Sequence, residues 1–402
     1  MNSTKKTMGN KRRYIAIVIC IFLLFMMVII GCTEMDPITA PLPTENRENA
    51  LEPLEQTAEM PIAPLQNGER ALVDSGELSD GIIWRLYDNN ECEISGTGTV
   101  ERFFDSYAIL NYAESIRTIT LVDGISTVGN NAFQGCDKIE KVNFGNTVKS
   151  IGEWAFSGCT MISNIEIPNQ VESIGSYAFN GCSTMKSIIF GTGLKEVGYG
   201  TIHECPALIS VSISSDVPDR AFQDCTSIVS VSLSGEVTRV GDHAFSGNTA
   251  LANISLEEGV VTIDTSAFSG CTTLKSISLP NSLIAIGDSA FESCTALNDV
   301  RFGNSLKTLG RWAFQGCTAL KTITIPESTE LLDEKVFSSC SALENIVLPK
   351  SLKTIKYGAF YSCSALRSIH YVGTQAEWER VKKETGWKDA TGSISVKYNY
   401  QG

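Results

Sequence analysis

Along most of the chain one phrase of apolar and polar positions returns. In its clearest form, "LKSISL" (Leu274 to Leu279) places apolar residues at 274, 277 and 279, with Lys275, Ser276 and Ser278 between them. Ile277 and Leu279 show the two-residue alternation of a strand with one buried face. Pro280 follows, and Pro168, Pro326 and Pro349 stand in equivalent places, while Gly145, Gly191 and Gly303 fill them elsewhere. Proline has no N–H to continue a ladder, so the strand is predicted to end there. In the next stretch, "SLIAIGDSAF", Leu283 and Ile286 are spaced to point inward and Gly287 makes a turn. Asp288, like Asp219 and Asp242, is predicted to cap a one-turn helix carrying Ala290 and Phe291. The chain then turns at Cys294 into the next strand.

The copies keep a period of 23. Cysteines fall at Cys136, Cys159, Cys182, Cys205, Cys225, Cys271, Cys294, Cys317, Cys340 and Cys363; one step is 20, and Asn248 takes the rung between Cys225 and Cys271. A fixed period in this range, with apolar residues at set offsets, signals a leucine-rich-type solenoid. One copy cannot bury its own apolar face, but a stack shares one continuous core. The expected fold is an α/β solenoid, a leucine-rich repeat superhelix of about eleven 23-residue repeats. Each would supply a strand, a short second strand or turn, and a one-turn helix. Repeats are expected over 116–372, with an N-terminal cap over 71–115 and a C-terminal cap over 373–402. At about 4.8 Å per rung the stack would be roughly 50 Å long. Ile202 replaces the usual Phe in one copy, and the next ("SDVPDRAF") is three residues short, so a local irregularity is expected there.

The N-terminus reads differently. A basic start (Lys5, Lys6, Lys11, Arg12, Arg13) precedes "YIAIVICIFLLFMMVIIG" and then Cys32. This is the order of a secretory signal, and "IIGC" resembles the bacterial lipobox, in which the cysteine is lipidated and becomes the new N-terminus. An uncleaved anchor is the alternative, since the apolar run is just long enough to span a bilayer. Both readings put the remainder outside the cytoplasm, held to a membrane at residues 1–31 or through a lipid on Cys32. Residues 32–70 hold six of the chain's twelve prolines and eight acids against two bases, with no hydrophobic period. They read as a disordered tether.

Composition narrows the function. With 43% hydrophobic and 19% charged residues, a sizeable core is available. The net charge of −13 understates the acidity of the folded part, because five bases belong to the signal. Such a surface repels nucleic acid at long range. The three histidines are scattered among variable repeat positions, none of the common hydrolase, phosphate-binding or CxxC motifs is present, and the repeats and caps use up residues 80–402; no catalytic role, metal or cofactor is expected. The cysteines are read as a buried structural ladder. Neighbouring rungs are close enough for disulfides, but equivalent Cβ vectors run parallel rather than converging, and a straight row of thiols is no tetrahedron. The exchange with Asn248 fits a small polar turn residue. Cys92 falls outside the ladder, in the N-terminal cap.

Three surfaces are candidates for a partner. Ile189, Ile209, Val229 and Ala252 take exposed offsets amid serines on the strand face. Lys275, Arg301, Lys321, Arg367 and His370 form a sparse basic patch further along it. Trp154 and Tyr177 share the position before Ala-Phe, with Tyr199 nearby in the next copy; a row of aromatics suits sugar rings or protein hot spots, with burial against neighbours as the alternative. Single exposed aliphatics and solvated charges are ordinary on any surface.

"LPNSLIAIGDSAFESCTALNDV" resembles the treponemal-type leucine-rich repeat of BspA-like surface proteins. "IIWRLYDNNECEISGTG" resembles that family's N-terminal cap, and "IHYVGTQAEWERVKKETGW" its C-terminal cap. The resemblance spans about residues 80–402. It implies a cell-surface or secreted protein, with adhesion to host or bacterial surface proteins as the expected role, acting as a monomer. Glycan capture and an envelope spacer without soluble ligand are the alternatives, because partner choice lies in variable positions of a shared scaffold.

Overall fold

A computed structural model describes residues 70–401, apart from 80, 104–106, 214 and 234–235. The signal segment, Cys32 and the tether up to residue 69 lie outside the described residues. Among those described, no helix is long and apolar enough to cross a membrane.

The N-terminal cap is an antiparallel meander of β1 (Leu72–Ser79), β2 (Ile82–Tyr87) and β3 (Glu91–Ser95). β2 buries Trp84 and Leu86 by strict alternation. β3 then pairs in parallel with β5 (Thr118–Leu121), and β4 (Gly98–Val100) with β6 (Ile125–Val128). From these two pairs two rows of short parallel strands grow. The first continues through Lys141–Asn143, Ser187–Ile189 and Ser230–Leu233 to Ser395–Lys397. The second, mostly two-residue strands, runs through Ser150–Ile151 and Ala285–Ile286 to Lys382–Lys383. Register steps by the repeat: Ser187 pairs with Asn164, and Ile286 with Leu309. The molecule is a β-solenoid of about 13 turns, more than the eleven repeats expected, because cap strands join both rows.

The irregularity expected at the short copy falls in the second row. Pairing stops after Glu196–Val197, Val217 meets Val240 only as an isolated bridge, and the row resumes at Arg239–Val240. Losing three residues removes the length the second strand needs.

The expected one-turn helix is absent. The residue two before the core Phe takes a left-handed conformation in copy after copy, from Asn131 (φ 58°) through Trp154 (56°) and Ser289 (54°) to Lys335 (53°). Four residues on, a second left-handed residue follows: Gly135 (74°), Gly158 (73°), Ser293 (59°), Ser339 (61°). A helix needs φ near −63° throughout, so two reversals of sign in one turn exclude it. Alternate N–H groups instead bond to the next rung, as when Asn131, Phe133 and Gly135 donate to Glu153, Ala155 and Ser157 at 2.7–2.8 Å. The aspartates accordingly cap nothing. Oδ1 of Asp219, Asp242 and Asp288 accepts the backbone N–H of Asp242, Thr265 and Arg311 on the following rung, at 2.7–3.0 Å. Among the described residues helices are confined to the caps: α1 (Tyr107–Leu110) and α2 (Gln375–Arg380), the latter closed by a Thr374–Glu377 capping box.

Between the faces runs a file of buried phenylalanines. Phe133, Phe156 and Phe179 stack with centroids 5.1–5.4 Å apart, and a second file runs from Phe222 to Phe360. Ile202 separates the two. Trp387 closes the far end edge-on to Phe360.

Candidate functional site

The described cysteines are all free and buried. Most ladder thiols donate to a backbone carbonyl of the preceding rung: Cys159 to Phe133 (3.2 Å), Cys294 to Phe268 (3.1 Å), Cys363 to Phe337 (3.0 Å). Burial pushes Cys136, Cys294 and Cys363 up to about 12. A neutral thiol with its proton committed to a carbonyl is neither nucleophile nor metal ligand. Asn248 behaves differently from its neighbours. Its Oδ1 accepts the Cys225 N–H at 3.1 Å, while its buried amide nitrogen has no partner.

On the strand face the copies align in columns. The residue four after each ladder cysteine forms one: Ile209 N–H donates to the Lys186 carbonyl, Val229 to Ile209 and Ala252 to Val229. Lys275, Lys321 and Arg367 continue that column, with Asn298 and Glu344 between them. Ile189 is not in it. It pairs with Glu166, in the column seven after the cysteine, which also holds Ser212, Ser232, Arg301 and His370. The candidate aliphatic strip and basic patch therefore share two columns. Arg301 is tied to Asp299 at 2.9 Å. Burial, then the charge of Lys397, lowers the His370 pKa, which weakens its claim as a cation. Ile189, Ile209 and Val229 are 57%, 47% and 44% exposed.

The aromatic residues meet, but largely each other. Trp154 stacks on Tyr177 at 4.3 Å, and Tyr199 packs edge-on to Tyr177 at 5.3 Å. Arg220 lies 5.7 Å from the Tyr199 ring centroid. Tyr199 sits one residue off the aromatic position, which Gly200 occupies. A Cβ on Gly200 would come within 2.6 Å of the Tyr177 ring, so the ring lies against that backbone. Tyr177 thus has neighbours on both faces, and Trp154 and Tyr177 are half-buried. One acidic grouping, Asp219, Asp242 and Asp264, has the spacing to hold a cation. Arg239 already bridges two of its members, at 2.5 Å from each.

The family model for the BspA-type leucine-rich repeat region matches residues 104–219, 215–306 and 262–380. The chain belongs to the BspA-type leucine-rich repeat family. A leucine-rich repeat protein from Bacteroides ovatus has a similar fold, at 22% identity over 80% of this chain and 99% of that one, with TM-score 0.51. A leucine rich cell surface protein from Faecalibacterium prausnitzii matches at 22% identity over 77% and 98%, TM-score 0.40. The T. pallidum leucine rich repeat protein is 31% identical over 44% of this chain and 85% of that one, TM-score 0.37. Comparison with curated proteins gives no match.

The BspA-type repeat spends its inward positions on core and its αL turns on rung-to-rung bonds, leaving the strand columns to vary. Lys186, at the head of the exposed aliphatics, was not among the sequence candidates. Counting four from every ladder cysteine would have found it. A groove of about 880 Å³ also opens on this face beside Lys141, Asn164, Glu166 and Ile189, where strands Lys141–Asn143 and Asn164–Glu166 belong to separate sheets. That gap has no signal in the hydrophobic pattern.

Proposed function

We infer that this BspA-type protein is a surface-exposed interaction scaffold whose strand face binds another protein. The observation that carries the reading is the exposure of Ile189, Ile209 and Val229 on one face of the repeats. Apolar side chains gathered on a rigid face lose little entropy on binding. Sequence supports the location: the N-terminal signal and the lipobox-like Ile29–Cys32 fit a lipid-anchored, extracytoplasmic protein. Adhesion to host or bacterial surface proteins follows as the role. Glycan capture is disfavoured because Tyr177 has Trp154 on one face and Gly200 on the other, and the same stack takes one face of Trp154.

The test is a binding screen of the full chain, in nonionic detergent, against matrix proteins, bacterial surfaces and glycans. Saturable binding to a protein, lost in Ile209→Ser/Val229→Ser and kept in Trp154→Ala/Tyr177→Ala/Tyr199→Ala, is expected. Binding competed by free sugar and lost in the aromatic variant would reverse the assignment. Silence across the panel would leave the spacer.

A further inference from the structure

The strand face is not acidic where the rest of the protein is. The chain carries 45 acids against 32 bases. Yet on the rungs from Lys186 to Ser278 the outward positions hold no carboxylate. Around the aliphatics stand Ser210, Ser212, Ser230, Ser232, Asn253 and Ser255, all exposed. The only charges are Lys186 and Lys275, one at each end, and neither ammonium pairs with a carboxylate among the described residues. Acids return one rung beyond each end, at Glu166 beside Ile189 and Asp299 beside Ser276, and just past the carboxyl ends of these strands. Of the latter, Asp216 is bonded to Thr238 and Arg239, and Glu258 to Asn281 and Ser282. Glu236 and Glu257 remain as a negative rim.

We propose that this lysine-flanked, carboxylate-free strip is the docking site for an acidic polypeptide segment of a partner protein, apolar at its centre. The proposal rests on the protein-binding reading above and names its partner class. Charge complementarity selects the occupant: a net-negative protein repels acidic partners except at a patch like this one, while the negative rim bounds the strip along its side and Glu166 and Asp299 bound it one rung beyond the two lysines. Four rung steps separate Lys186 from Lys275, about 19 Å. An extended segment covers that span in about six residues at roughly 3.3 Å each. The predicted motif therefore has acids about six residues apart, bracketing two or three apolar side chains that lie on Ile209, Val229 and Ala252. Serines between the columns supply hydroxyls for the segment's backbone.

The test is selection of a random twelve-residue peptide display library on the full chain, followed by affinity measurements on the selected peptides. Expected are acidic peptides with an apolar centre, weakened at least about tenfold by Lys186→Glu/Lys275→Glu and by a rise from 50 to 500 mM salt. Both lysines are exposed, so unchanged circular dichroism and melting of the variant separate docking from folding. Selection of basic or uncharged peptides, no enrichment at all, or acidic peptides indifferent to the lysine reversal would overturn the proposal. The same variant in the macromolecular screen keeps the two readings apart. A protein ligand bound equally by wild type and Lys186→Glu/Lys275→Glu sinks this strip and leaves the scaffold standing; failure of the wild type in both experiments sinks both.

Discussion

Asn248→Cys restores the rung that breaks the cysteine ladder, and its effect follows from a short balance. Asn248 is fully buried, and its amide nitrogen has no acceptor. An orphaned buried donor costs about 1–3 kcal/mol. Cysteine has nearly the same volume and would offer its S–H to the Phe222 carbonyl, as Cys271 does to Phe245 at 3.3 Å. Against this stands the lost bond from the Cys225 N–H to Oδ1, worth about 1 kcal/mol. That N–H keeps its weaker contact with the Phe222 carbonyl at 3.4 Å. The net expectation is stabilisation by about 1 kcal/mol. The reciprocal change, Cys294→Asn, would plant the same orphan in a satisfied rung and destabilise by about 1–3 kcal/mol. Urea unfolding under reducing conditions, followed by tryptophan fluorescence, measures both midpoints. Asn248→Cys less stable than wild type, or Cys294→Asn as stable, would refute the assignment of the ladder to thiol-to-carbonyl bonding.

Four further outcomes follow from the core and the turns. Phe268→Ala, between rings at 5.4 and 5.3 Å, should cost about 3–5 kcal/mol in the same unfolding assay, and a cost below about 1 kcal/mol would mean the file collapses around the gap. Gly200→Ala adds a Cβ within 2.6 Å of Tyr177 at a residue with φ of 57°; a loss of roughly 1–3 kcal/mol, partly recovered with Tyr177→Ala, is expected by thermal melting. The ladder thiols also set a pH limit. Burial raises Cys136, Cys294 and Cys363 from the ordinary 9.0 to about 12, so the folded state favours the protonated thiol. Their stabilising contribution is complete below about pH 9 and is lost as pH rises toward 12, which a urea titration at stepped alkaline pH detects as a falling midpoint. Thiol-directed alkylation of the native protein should be correspondingly slow at pH 8, and fast labelling would contradict the burial.

Much of this architecture was legible because it is periodic. The alternation at Ile277 and Leu279, the proline or glycine after most strands, and the cysteine spacing set strand, stop and rung in most copies. The interruption at the short copy was legible too, from its missing residues. The helix was not. Asp288 before Ala290 and Phe291 satisfies every local rule for a capped turn, yet the side chain bonds to Arg311, twenty-three residues on. Nor do Trp154, Tyr177 and Trp312 announce left-handed backbone, a conformation costing such residues roughly 1–2 kcal/mol in isolation. The hydrogen bonds to the next rung offset that cost, and they exist only once the rungs are stacked.

The surface divides along the same line. That Ile209 and Val229 are outward-facing was read from alternation. That Ile189 stands in a different column, that Arg301 is spent on Asp299, and that Tyr177 is wedged between Trp154 and Gly200 required the register. Sequence alone determined the period, the core and the family, because burial of an apolar face acts identically in each copy and writes itself as a repeat. Tertiary structure decided the turn conformation and the composition of the strand face, because both depend on contacts between residues twenty-three apart, where one rung's side chain meets the next rung's backbone.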